Sequence, residues 1–506
     1  MTHLPVLPIL VPLITGALLV LLYDLPLWLQ RAVSIGSTLT LLGLALALGN
    51  MIGEQGHVVY ALGSWAPPFG IVLVPDRLSV LMLTLTAALA LFAVIYASRH
   101  DDRIGAHFHA LFQFQLMGLN GAFITGDLFN LFVFFEVLLI ASYALLLHGG
   151  GPARSRAGLH YVILNLIGSA LFIIAVGILY GVTGTLNMAD LAVRISEAPP
   201  ADLPLIQAAS LIFLVVFGVK AALLPLLFWL PRAYTVAAAP VAALFAVMTK
   251  VGVYAMLRVF PLVFGLNTPL VDTLAWQWLW PLALATLALG GIGVLGATSL
   301  RNMTAYMVIV SAGTLMATLA LGSSQAISAG LFYLVHSTLM TAAFFLFADL
   351  IAGQRGEAGD HMVVTSAMKD RRTLGILFFF GATAFAGLPP FSGFISKVWI
   401  LESSLAQGAS GSLWPILLGA GLLMLIALSR AGSKFFWRQS DERPHEYRAD
   451  RVRFGVVCVM LLTSVALSIQ AQPLMDYLIA TADSIQNPGR YVETVMSTTR
   501  SLKESH

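Results

Sequence analysis

Apolar residues gather in long runs separated by short polar breaks, and most runs come close to the ~20 residues a helix needs to cross a bilayer. They fall at about 4–22, 32–52, 78–98, 107–125, 128–148, 160–182 and 206–230. They continue at about 236–260, 276–298, 302–321, 326–350, 373–405, 412–430 and 452–472. This pattern predicts an all-α polytopic membrane protein with about fourteen transmembrane helices. The longest segments between runs, 53–77, 183–205, 351–372 and 431–451, are too short for a soluble domain. A single membrane domain over 1–506 is therefore expected, with 53–77 and ADLPLIQ (201–207) as candidates to lie along the membrane surface.

Two runs depart from a simple crossing. Span 7 contains SLIFLVVFGVKAALLPLLFWLP, with Lys220 five residues before Pro225. Span 12, TLGILFFFGATAFAGLPPFSGFISKVWILE, is too long for one crossing and is interrupted at Gly387-Leu388-Pro389-Pro390. Proline removes a backbone donor and clashes with the preceding turn. In a membrane such breaks persist only where protein or a water-filled cavity receives the freed groups. The two irregular spans are five apart, an odd number, so they enter the bilayer in opposite directions. Spans 4–8 and 9–13 are accordingly expected to form two inverted five-helix repeats, the pattern that points to a transport path at the midplane. The layout is then spans 1–3 in 1–105, the first repeat in 106–260, the second in 274–431, and span 14 at 452–472.

Charge placement supports the count. Cytoplasmic loops are enriched in Lys and Arg. Of the 27 such residues, 18 lie in loops after odd-numbered spans, Arg443 among them, 6 lie on the opposite side, counting Arg258, and 3 lie inside apolar runs. A miscounted span would scramble this bias, so both termini are expected on the outer side. Composition agrees: 58% of residues are hydrophobic and 10% charged, against roughly 25% charged in soluble domains. The net charge of +3 and the lack of a basic, aromatic-interleaved cluster give no reason to expect a nucleic-acid partner. A single cysteine, Cys458, rules out an intramolecular disulfide and a thiolate-held cluster. The N-terminus has no Lys or Arg before its apolar run and no small-residue cleavage site before Tyr23, so it reads as a retained first span.

Against this background the intramembrane ionisable groups stand out. A charge at mid-membrane costs at least ~2.5–3.5 kcal/mol, which makes each one a functional candidate. Glu136 lies half-way along span 5. Lys220 sits about 14 residues into span 7, roughly 20 Å along a helix. Lys250 is similarly deep in span 8, His336 lies in span 11, and Lys397 follows the break in span 12. Asn120, Asn165, Ser169, Thr249, Ser337, Thr338 and Thr341 are polar companions nearby in sequence. One carboxylate, three amines and an imidazole suit proton relay better than bond-making catalysis. Burial disfavours a lysine's charge and a carboxylate restores it, and histidine is a natural intermediate station. The alternative is structural: a buried Glu–Lys pair locking spans together while the other groups reach for the interface. The helix breaks beside Lys220 and Lys397 weigh against it. His107, His109, His148 and His160, at inner span ends, are expected to be interfacial. So are Asp127 and Asp349, with Asp349 also a candidate inner proton exit. Trp276, Trp278 and Trp280 read as an interfacial aromatic belt. No phosphate-binding glycine loop, zinc-protease motif or nucleophile elbow occurs in a plausible context, and no cofactor is expected.

At these residues the chain resembles the antiporter-like subunits shared by respiratory complex I, membrane-bound hydrogenases and Mrp-type (Pha, Sha or Mnh) cation/proton antiporters, with the D-type Mrp protein the nearest likeness. The segments that carry it include GDLFNLFVFFEVLLIASYALLLHGG, GLHYVILNLIGSALF, FGVKAALLPLLFWLP, APVAALFAVMTKVGVYAMLRV and AGLPPFSGFISKVWI. The resemblance implies a span-5 glutamate at Glu136, lysines of spans 7 and 8 at Lys220 and Lys250, a relay histidine at His336 and a terminal lysine at Lys397. It departs at Leu227, where the span-7 motif commonly carries histidine. The implied function is proton translocation within a hetero-oligomeric Na+/H+ antiporter of a bacterial inner membrane, with companion Mrp subunits as partners. The alternative is an antiporter-like subunit of NADH:quinone oxidoreductase or a hydrogenase. The wording of span 5 and the lack of a long C-terminal lateral helix favour the former. Amines and one central carboxylate do not mark a Na+ site, so the cation route stays open between this chain and a partner.

Overall fold

Away from water a chain must satisfy its own backbone, and helix does so within one segment. The computed structural model describes residues 3–265, 272–438 and 448–504. The chain opens with α1 (Leu7–Leu21), α2 (Leu27–Gln55), α3 (Arg77–Ala97), α4 (Phe108–Ile124), α5 (Leu128–Leu147), α6 (Pro152–Thr183) and α7 (Met188–Ser196). It continues with α8 (Leu203–Ala221), α9 (Trp229–Val236), α10 (Ala239–Val259), α11 (Asp272–Gly296), α12 (Leu300–Ala320) and α13 (Ser324–Gly353). The remainder holds α14 (Arg371–Ala386), α15 (Ser392–Ala406), α16 (Ser410–Gly432), α17 (Arg451–Ile469), α18 (Ala471–Gln486) and α19 (Gly489–Glu504). A two-residue antiparallel pair, β1 (Tyr60–Ala61) and β2 (Val72–Leu73), closes the segment between α2 and α3. Several helix starts are set by a side chain that accepts a backbone N–H of the first turn: Asp76 for α3, Asp127 for α5, Ser299 for α12 and Ser323 for α13.

Twelve helices among the described residues are long and apolar enough to cross a membrane. The fourteen expected runs include α4, of 17 residues, and the run now divided into α14 and α15, of 16 and 15, none of which reaches that length alone. At the centre α10 and α13 pack on each other, their membrane-length stretches wholly buried. Outer helices turn apolar side chains outward, such as Ile140, Leu159, Phe379 and Leu422, all more than half exposed, as a lipid-facing surface requires.

Two helix ends share one geometry. After α8, Ala222 takes a left-handed conformation and Leu223 N donates back to Gly218 O at 2.8 Å. After α14, Gly387 takes φ +79° and Leu388 N donates back to Thr383 O at 3.1 Å. Both are helix-terminating motifs that recover carbonyls otherwise left unpaired. At the first, Leu224 N is received by Thr286 Oγ1 of α11 at 2.9 Å, and Trp229 Nε1 donates to Val219 O at 3.1 Å.

Some expectations change. The ADLPLIQ segment leads into α8 and supplies its first turns instead of lying apart. The short α7, and α18 and α19 after span 14, had no signal in runs chosen for length. Arg258, counted as an outer-loop charge, is in the last turn of α10 and buried. Arg443 lies outside the described residues.

Candidate functional site

The five candidate residues ride on helices that pack in succession: α5 on α6, α6 on α8, α8 on α10, α10 on α13, and α13 on α15. Glu136 is on α5, Lys220 on α8, Lys250 on α10, His336 on α13 and Lys397 on α15. Lys220, Lys250 and His336 are buried, while Glu136 and Lys397 are half-buried.

Glu136 and Lys220 are neighbours but do not form an ion pair. Each is held instead by α6. Ser169 Oγ donates to Glu136 Oε1. Lys220 Nζ donates to Asn165 Oδ1 at 3.1 Å and lies 5.9 Å from the centre of the Phe135 ring. Asn165 Nδ2 donates to Tyr161 O at 2.8 Å, which fixes the amide with its oxygen toward the lysine. A cavity of about 10 Å³ adjoins Lys220, lined in part by Asn165, Tyr161, Trp229 and Met248. Pro225 and Leu227 belong to the connection between α8 and α9, and Leu227 is buried there.

Lys250 is the least accommodated of the set. It is fully buried, and its nearest hydrogen-bonding partner is Thr249 Oγ1 at 3.4 Å. Close packing brings its helix to α8: a Cβ on Gly252 would lie 2.6 Å from Ala221 N and 2.8 Å from Phe217 O. His336 is oriented by a hydroxyl chain, with its Nδ1 2.8 Å from Ser392 Oγ and that oxygen 2.9 Å from Ser464 Oγ on α17. Lys397 Nζ donates to Ala386 O at 2.5 Å, back across the Pro389-Pro390 connection. Among the described residues no group of three or more His, Cys, Asp or Glu side chains forms a metal-binding cluster.

Two buried ionic networks escaped sequence reasoning. In the connection between α3 and α4, Asp102 pairs with Arg31 at 2.6 Å and His109 at 3.2 Å. Asp101 pairs with Arg453, which also reaches Asp349 at 3.2 Å; Arg301 completes the chain to Asp349 at 2.8 Å. Tyr96 donates to Asp349 at 2.9 Å. Burial, reinforced by the Asp349 charge, pushes Asp101 up to about 7 against the pull of Arg453. Burial also works to raise Asp102, but hydrogen bonds from His109 and Arg31 outweigh it and hold that carboxyl at about 2. At the opposite end Arg258 grips Asp76 with two bonds of 2.7 Å. His109 and His148, expected at the interface, are buried: His109 against Asp102, and His148 on Asp101 O at 3.0 Å. His107 and His160 are exposed. Asp349, expected at the interface, sits half-buried in this network; the acidic pair Asp101-Asp102 next to a span reads equally well as a solvated loop.

With this geometry in view, residues 125–423 match the family model described as "NADH:quinone oxidoreductase/Mrp antiporter, TM". The chain belongs to that family. It is 42% identical to the D subunit of a probable K(+)/H(+) antiporter from Rhizobium meliloti, over 98% of each chain. It is 36% identical to the D subunit of the Na(+)/H(+) antiporter from Bacillus subtilis, over 98% of this chain and all of that one. Among solved structures it resembles a chain of the Mrp complex from Dietzia sp., with a TM-score of 0.88 and 26% identity over 98% of this chain and 100% of that chain. Membership covers the α5-to-α16 region in which all five candidate residues lie.

Proposed function

We propose that this chain is the proton-translocating subunit of a multisubunit monovalent cation/proton antiporter, working with Mrp-type partner subunits and itself an ion transporter subunit, not an enzyme. The reading rests on one observation: buried Lys220, Lys250 and His336, with Lys397 beyond them, on helices packed in sequence. Protons pass along this row between two half-channels. Glu136 sets the charge state of Lys220, and the cation exchanged is Na+ or another monovalent ion.

The fourteen-span reading counts α4 as a crossing and each of the pairs α8–α9 and α14–α15 as one broken crossing at Pro225 and Pro389-Pro390. Both termini then face outside the bacterial inner membrane, with 1–105, 106–260, 274–431 and 452–472 divided as in the sequence pattern. Inverted repeats find support in a matched pair of contacts. Cβ atoms on Gly118 and Gly121 of α4 would strike Leu138 and Phe134 of α5; those on Gly290 and Gly293 of α11 would strike Val310 and Tyr306 of α12. The same spacing in both places puts Val308 where the second repeat would carry a counterpart of Glu136. On this reading the position equivalent to Glu136 carries no carboxylate.

The test is cation-driven proton movement, followed by fluorescence in everted vesicles carrying the whole complex. Lys220→Ala is expected to abolish it nearly completely, with Glu136→Gln similarly severe and Glu136→Asp milder. Unchanged flux in Lys220→Ala would sink the relay.

A further inference from the structure

Resting on that relay, we propose that Asn165 and Ser169 of α6 are positioning residues that hold Glu136 and Lys220 apart, so that pairing of the two is controlled from α6. The two polar residues are four apart on one helix, hence on one face about one turn from each other. Each takes one member of the Glu–Lys couple: Ser169 Oγ–H donates to the Glu136 carboxylate, and Asn165 Oδ1 accepts from Lys220 Nζ at 3.1 Å. The Asn165 amide is itself pinned by the Tyr161 carbonyl at 2.8 Å, so it presents an acceptor and no donor to the lysine.

The chemistry of the two holders differs in a useful way. An amide oxygen accepts a hydrogen bond without taking the proton, so Asn165 keeps Lys220 in place without draining it. A hydroxyl both donates and accepts, so Ser169 can turn with the protonation of Glu136, donating to the carboxylate and accepting from the acid. Without these anchors a carboxylate and an amine in an apolar interior would close into direct contact, where their attraction is strongest. A closed pair keeps its proton. The separated pair leaves Lys220 beside a cavity of about 10 Å³, near the lower limit for one water, whose lining includes Met248, two residues before Lys250 on α10. Separation therefore aims the lysine along the path and contact turns it back.

The experiment compares Asn165→Leu, Ser169→Ala and Ser169→Thr with wild type and Lys220→Ala, all in the assembled complex in everted vesicles. Cation-driven proton movement is measured across pH, and complex content is measured by immunoblot. Asn165→Leu and Ser169→Ala should each lower the rate about tenfold, the equivalent of one charge-assisted hydrogen bond, and displace the pH profile at normal complex content. Ser169→Thr, which keeps the hydroxyl, should stay within about twofold with the wild-type profile. The proposal is overturned if Asn165→Leu and Ser169→Ala keep the wild-type rate and profile. It is also overturned if their rates fall only in step with complex content while the profile stays put. Retained flux in Lys220→Ala is a different result: it removes the relay itself.

Discussion

Lys397 Nζ donates to the carbonyl oxygen of Ala386, so the amine that ends the proposed relay also caps the last turn of α14. Gly387 makes room for this. Its φ is +79°, and a Cβ there would lie 2.7 Å from Lys397 Cδ and 2.9 Å from Nζ. Gly387→Ala should push the amine off its carbonyl and add left-handed strain of ~1 kcal/mol. The expected outcome is about tenfold slower antiport, which corresponds to ~1.4 kcal/mol. Gly408→Ala is the control, since Gly408 has φ +68° with open space around its would-be Cβ. If both variants lose flux equally, strain alone explains the result and the contact with Lys397 is irrelevant.

Gly252 sets the approach of α10 to α8 at Ala221, the residue next to Lys220. A methyl group there meets Ala221 N and Phe217 O, backbone atoms that cannot rotate away. Gly252→Ala should cost about 1–3 kcal/mol of overpacking and widen the gap between the helices that carry Lys220 and Lys250. Thermal unfolding of the purified complex should shift down, and antiport should fall several-fold. Wild-type values for both would show that the helices reseat without loss.

His336 reaches α17 through Ser392 and Ser464. Ser392→Ala leaves the imidazole Nδ1 without its partner in a buried site, a loss of about 1–3 kcal/mol. Antiport should drop by about tenfold or more. Ser464→Ala, one bond further out, should cost less. The prediction fails if the outer substitution proves the more damaging.

The Asp101 network supplies a pH signature for stability. Asp101, at about 7, holds its proton in the folded protein over a range where the unfolded chain, near 3.8, has lost it. Its contribution is therefore fully present below pH ~4 and is lost as pH rises through ~7. Arg453, Asp349, Arg301 and the imidazole of His148 surround it. Melting of the purified complex across this window should decline more steeply in wild type than in Asp101→Asn, which cannot titrate. Parallel slopes would contradict the assignment of the proton to Asp101.

The helical, membrane-spanning character of the chain and its costly charges were legible because both follow from local energetics, although α7, α18 and α19 were not. A run such as 128–148 must form helix wherever water is absent, and Lys220 in an apolar run is expensive wherever the helix goes. The C-terminal ends of α8 and α14 fall within a few residues of Pro225 and Pro389-Pro390, which lack the backbone donors a helix needs. Partners 253 or more residues apart could not be matched in the same way: Tyr96 with Asp349, Arg99 with Asp450, or Arg453 with Asp101.

By itself, then, the sequence determined a polytopic helical protein with Glu136, Lys220, Lys250, His336 and Lys397 inside its apolar spans. Only the tertiary structure decided whom each of them meets. Spans that are apolar on all sides carry almost no periodic signal for which face turns inward, and the rotation of each helix is set by packing against its neighbours. Asn165 and Ser169 were visible as polar residues in α6. That one takes Lys220 and the other Glu136, keeping the two from closing on each other, is a consequence of how α5, α6 and α8 pack.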